Sequence, residues 1–280
     1  MTTTTPAATP SATAPARRRD LIAAEWLKLR SLRSTPIVLA LLVPLYVYFA
    51  YDAASITHDA WPTLSARQRQ DVDPGHDALP FPRFLLLMAT AGTIGAMTIA
   101  GEHASGLIRT TFIAVPARGR VLLAKMVVLS GVLALLGLII GIGAWGATFV
   151  AYSDRITGFS FGTPGVVRSI AGTTVMVPMC ALIGMAAAMI VRHTAGVVFA
   201  VVVFFLLGPV AIRGRLPLLD AASSAHLVNA MPAYAWGRLT IMTQGHIVER
   251  IPSIAAAWTA LAGWALAAIL VPMLLRHRDV

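Results

Sequence analysis

Residues 126–151 read MVVLSGVLALLGLIIGIGAWGATFVA, a run without one Asp, Glu, Lys, Arg or His. At about 1.5 Å of rise per residue, a helix of this length crosses a hydrocarbon layer about 30 Å thick. A barrel strand would alternate apolar and polar side chains and be about half as long, so the run reads as a membrane helix. Five more runs share its character: Thr35 to Tyr51, Phe84 to Gly101, Ser169 to Val191, Ala195 to Ile212 and Ile254 to Leu275. Composition agrees. Apolar types make up 57% of the 280 residues, charged types 12%, and mean hydropathy is +0.76, whereas a soluble domain is about 25% charged. These features predict an all-α polytopic membrane protein with six transmembrane helices.

A net charge of +10 would suit a nucleic-acid binder, but the placement of the charge argues against one. The basic residues gather at the ends of the runs, where they set orientation. Arg17, Arg18, Arg19, Lys28, Arg30 and Arg33 precede the first run. With Arg109, Arg118, Arg120, Lys125, Arg192, Arg276 and Arg278, one set of flanks holds 13 of the 22 basic residues, leaving nine for the other set. Both termini are therefore expected in the cytoplasm of a multi-pass protein of the cell membrane. Only two of the 22 basic residues are lysines, which suggests a GC-rich bacterial genome.

Residues 1–18 read as a disordered cytoplasmic tail, because MTTTTPAATPSATAPA carries no charge and nothing to bury. The remainder, 19–280, is expected to form one six-span membrane domain. The Arg-Arg-Arg-Asp stretch has the look of a twin-arginine export signal, but Glu25, Lys28, Arg30 and Arg33 break the apolar region a signal needs. Asp20 to Ser34 instead predicts an amphipathic helix lying on the membrane surface, in contact with lipid. Leu21, Ile22, Trp26, Leu29 and Leu32 fall on one side, and Lys28 and Arg30 lie round the rest. Glu25 interrupts the apolar side. It has two readings, a local pair with Lys28 or a buried contact to a distant part of the chain.

Catalytic and metal chemistry find little support. Asp71, Asp73, His76 and Asp77 imitate a calcium loop, but Gly75 and Pro82 stand where ligands are required, so a solvated acidic loop is expected. No HExxH helix, G-x-S-x-G elbow or phosphate-binding P-loop occurs. One cysteine, Cys180, leaves no internal disulfide. No catalytic residue, metal or cofactor is assigned. Small residues at helical spacing predict close packing: Gly92, Ala96 and Ala100; Gly137 and Gly141; Gly184 and Ala188. Met176, Met179, Met185 and Met189 suit either core filling or an adaptable lining.

Between the second and third runs lies GEHASGLIRTTFIAVPARGR, residues 101–120, neither a span nor a bare turn. From Leu107 to Val115 a helix would place Leu107, Ile108, Thr111, Phe112 and Val115 on one side and Arg109, Thr110 and Ile113 on the other. Gly106 precedes it and Pro116 stops it. This stretch, continued by VLLAK to Lys125, together with EWLKLRSLRS from Glu25, resembles the permease subunits of ABC exporters of the type-2 membrane class. The family pattern of an acid, a small residue with glycine, a coupling helix, a proline, a basic residue and a lysine is met by Glu102, Ser105 with Gly106, Leu107 to Val115, Pro116, Arg118 and Lys125. Where the family often has threonine after the glycine, this chain has Leu107, which removes a hydroxyl cap.

The resemblance implies a translocation path formed with a second permease subunit, identical or not, and a separate ATP-binding cassette subunit on which the coupling helix rests. Glu102 would pair with Arg109 or Lys125 to hold that helix. The segment from Arg213 to Pro252 then resembles a partly inserted, re-entrant stretch at the outer end. The competing reading is a membrane scaffold or anchor that transports nothing.

Overall fold

The structure is a computed structural model and describes residues 17–31, 34–104, 118–156, 159–191, 193–208, 221–242 and 252–275. All regular elements among them are helical. A first helix, α1 (Arg18–Ser31), precedes a long apolar α2 (Ser34–Ala60). Two short helices follow, α3 (Ala66–Asp71) and α4 (Pro74–Ala78), then α5 (Phe81–Ala104), α6 (Arg118–Ala151) and α7 (Val166–Ile190). The chain continues with α8 (Thr194–Val202), extended by a π turn over Val203–Leu207. It ends with α9 (Ala221–Ala230), α10 (Pro232–Thr240) and α11 (Ile254–Leu275).

Five helices, α2, α5, α6, α7 and α11, are long and apolar enough to cross a membrane. The expected fifth run behaves differently. Its described helix, Thr194–Leu207, is apolar but short, about 20 Å at the rise of an α-helix, and the rest of the expected run lies outside the described residues. Two other boundaries also move. α2 runs past Tyr51 to Ala60, since no residue stops it before Pro62, and α6 begins at Arg118, which puts Lys125 inside the helix instead of at its mouth.

The bundle is built around α7, which packs on α5, α6, α10 and α11. Two-thirds of its apolar window is buried, against about a fifth in α2 and α11 at the periphery. Small residues make the centre possible. A side chain on Gly95 would collide with the backbone of Ala181, and one on Gly184 with that of Gly92. Across the other seam, a Cβ on Gly137 would stand 2.8 Å from the Thr173 carbonyl oxygen. Helices this close gain van der Waals contact that lipid cannot replace, as the small-residue spacing predicts.

Polar atoms in the core are paired. Trp145 Nε1 donates to Ser169 Oγ at 2.7 Å, and Trp236 Nε1 donates to Thr173 Oγ1 at 3.0 Å. Both hydroxyls stand on successive turns of α7 and donate in turn to carbonyls of their own helix. The two largest fully buried side chains are thus anchored on one apolar helix at no cost in unpaired N–H groups. Met176, Met179 and Met185 are buried in the same core, and Met189 packs against it.

At the near end, defined as the end where α1 lies, α1 rests on α6. At the far end α4, α10 and the start of α7 meet. From there α10 leads back to Met231 and Ala230, whose carbonyl accepts from Trp264 Nε1 at 2.8 Å. Trp264 is ten residues into α11 from Ile254, about 15 Å along it.

Candidate coupling site at the near end

Four charged side chains from three helices meet where α1 crosses the first turns of α6. Lys125 Nζ lies 2.7 Å from Glu25 Oε2 and 2.8 Å from Glu102 Oε1. Lys28 Nζ lies 2.7 Å from Glu25 Oε1 and 3.4 Å from Glu102 Oε1. Glu25 and Lys125 are buried, while Lys28 is partly open to solvent. The group is neutral, and each ammonium bridges two carboxylates.

Local geometry explains the choice of residues. Lys28 follows Glu25 by three positions and therefore faces the same way on α1. Glu102 occupies the last turn of α5, where the helix dipole disfavours a carboxylate, and two ammoniums offset that penalty. Lysine suits the centre because one compact ammonium has three donors to divide between acids from different helices, whereas the planar fork of arginine matches a single carboxylate. The chain's only two lysines are the two that lie here.

Burial alone would raise the Glu25 carboxyl, but the Lys125 ammonium, and after it Lys28, more than reverse this and hold it below its ordinary value. For Lys28, burial pulls downward, and the Glu25 hydrogen bond with the Glu102 charge carries it above its ordinary value. Both groups therefore stay charged at neutral pH.

Both readings of Glu25 are met at once, the local pair with Lys28 and a contact 100 residues away with Lys125. Of the two partners considered for Glu102, Lys125 is in contact with it, and Arg109 lies outside the described residues. The expected apolar side of α1 divides between protein and surroundings. The face against α6 carries Leu21, Glu25 and Lys28, with Leu21 packed on Val121 and Ala124, whereas Ile22, Trp26, Leu27 and Arg30 are exposed. The acid Glu25 thus faces inward and Trp26 outward. Arg118 opens α6. Ser105, Gly106, Ile108, Arg109, Phe112 and Pro116 lie outside the described residues, so the network marks the two helix ends between which they run.

The chain matches the family described as ABC-2 family transporter protein over residues 21–210. It belongs to that family. No curated protein matches it. As an ABC-2 protein it is a multi-pass membrane permease component of an ABC transporter. The match takes in α1, α2, α5, α6, α7 and the described part of α8, and so includes all four residues of the network.

A second cluster, at the far end, was not legible as a site. Asp77 is buried and accepts from the Tyr152 hydroxyl. Asp73 caps α4, accepting from Gly75 N at 2.8 Å, and its other oxygen accepts from Met242 N at 2.9 Å. Arg168 donates to the carbonyls of Leu239, at 3.0 Å, and Ile241, at 2.6 Å. The expected solvated acidic loop is corrected at Asp73 and Asp77, whose carboxylates are structural acceptors, while Asp71 is exposed as expected. Asp-Pro-Gly at 73–75 was the available signal, an N-cap followed by proline at the first helical position.

Proposed function

We propose that this ABC-2 permease forms, with a second permease subunit and through six spans apiece, the translocation path of an ATP-driven bacterial exporter. Its near end is cytoplasmic and is coupled there to a separate ATP-binding cassette subunit. The flank count favours this orientation, with 13 of the 22 basic residues on the near-end flanks and nine on the others. The observation that carries the proposal is the Glu25–Lys125–Glu102 contact. It ties the surface helix to the end of α5 and the start of α6, the two helices that bracket residues 105–117. A push on that segment from the ATPase is transmitted to both spans and to α1 together.

The test uses the intact complex in membranes. Phe112→Asp should release the ATPase: burying such an apolar side chain is worth roughly 1.5 to 3 kcal/mol, one to two decades in binding. Glu102→Gln should keep the ATPase bound and uncouple its turnover from transport. If both variants retain partner and transport, the segment is a connector and the proposal fails.

A further inference from the structure

We propose that His226 of α9 faces a water-filled path at mid-membrane depth, where it meets the polar part of a transported molecule. This rests on the export reading above.

The depth follows from hydrogen bonding. Ala230, the last residue of α9, is held through its carbonyl by Trp264, about 15 Å from the far end of α11 and hence near the middle of a layer about 30 Å thick. His226 is one helical turn before Ala230, about 6 Å away whatever the tilt of α9. The same junction adjoins Gly208, the end of the short α8 segment, where a Cβ would stand 3.2 Å from the Met231 methyl.

The orientation follows from exposure. Val228 is buried, while His226, Leu227 and Ala230 are exposed, as one face of a helix turned away from the bundle requires. Hydrocarbon is a poor neighbour for an imidazole, which keeps two hydrogen-bonding nitrogens that lipid cannot satisfy. The six apolar runs contain no Asp, Glu, Lys, Arg or His, so histidine here is a departure from the rule the rest of the chain follows. Water on this face removes the conflict. With Leu227 beside it, the face offers one hydrogen-bonding group on an apolar wall, which suits an amphiphile carrying a polar head.

The test is thiol accessibility in the assembled complex, in proteoliposomes. Cys180 is replaced by alanine, and cysteine is placed at 226 or at Leu266, an exposed α11 position two residues beyond Trp264 and so at similar depth. A charged methanethiosulfonate needs water and a thiolate, and an apolar surrounding raises a thiol's pKa. The charged reagent should therefore modify His226→Cys at least about tenfold faster than Leu266→Cys. Reaction of His226→Cys only with a lipophilic maleimide would mean lipid on this face. Protection from both reagents would mean a second subunit packed against it. Either result overturns the proposal. Exchange of the imidazole C2 proton in the unaltered chain, read by mass spectrometry, gives the same answer without substitution: exchange supports water, and its absence refutes it. ATPase co-purification from the same preparation shows separately whether the coupling reading stands.

Discussion

The two ends of this permease are held by different kinds of bond. At the near end, Glu25, Lys28, Glu102 and Lys125 bind one another side chain to side chain. At the far end, beside side-chain pairs such as Tyr152 with Asp77, charged groups bind backbone: Asp73 to Met242 N, Arg168 to two carbonyls, and Arg238 Nε to the Pro252 carbonyl at 2.8 Å. Arg83 donates to the Phe49 carbonyl at 2.8 Å and pairs with Asp52 at 2.7 Å, which fixes α5 to α2. A bond to backbone specifies where a segment lies. A shared ammonium specifies only that a carboxylate be within reach, and since both lysines already contact Glu102, small sliding of α1 along α6 leaves every charge partnered. The near end is therefore suited to movement and the far end to position.

Removing the central charge should break this comparison most severely. Lys125→Met leaves Glu25 and Glu102 facing each other with Lys28 alone between them, and loss of one partner from a buried pair costs about 3 to 5 kcal/mol. Thermal unfolding of the purified protein should show the loss, and Lys125→Arg should recover only part of it. Glu25→Leu should cost less, about 1 to 3 kcal/mol, because Lys125 keeps Glu102. A variant as stable as the parent would mean that the network carries no structural weight.

How far this end could be read from the sequence depends on the residue. Five of the six apolar runs gave helices long enough to span, because helix length against membrane thickness is a one-dimensional constraint. Glu25 stood out because it broke a periodic pattern. Its partner, 100 residues away, could not be derived, since nothing in a single sequence fixes which helix end crosses which. The scarcity of lysine was a usable signal, because a chain otherwise supplied with arginine keeps lysine where a fork is the wrong shape. At the far end Asp77 looked like an ordinary loop acid, and its burial arises only because α2 and α6 close over α4.

A middling effect is expected from Arg168→Gln at the far end. Charge-assisted hydrogen bonds to the Leu239 and Ile241 carbonyls would be lost, about 1.5 to 3 kcal/mol, and α10 would loosen from α7. Faster hydrogen exchange across residues 232–240, with unchanged exchange in α1, would locate the effect at one end. Equal loosening of both ends would show that the two clusters are one cooperative unit.

The smallest effect should come from pH, and it has opposite signs at the two ends. Glu25 is held below its ordinary value of 4.5, so its contribution is complete above that value and disappears only as pH falls through the lowered one. Between pH 6 and 8 the Glu25–Lys28 pair should not respond. His76 behaves in the reverse sense. The Asp77 carboxylate beside it, with Asp73 nearby, raises its imidazole above 6.5 against a downward pull from burial. Its contribution is therefore complete below 6.5 and is lost as pH rises through the raised value. The ring is largely exposed, so solvent screens the pair and the change is slight. Hydrogen exchange of residues 73–79, corrected for intrinsic rates, should increase modestly between pH 6 and 8, and His76→Gln should flatten the response. A change at 73–79 that survives His76→Gln would contradict the assignment of the titration to His76.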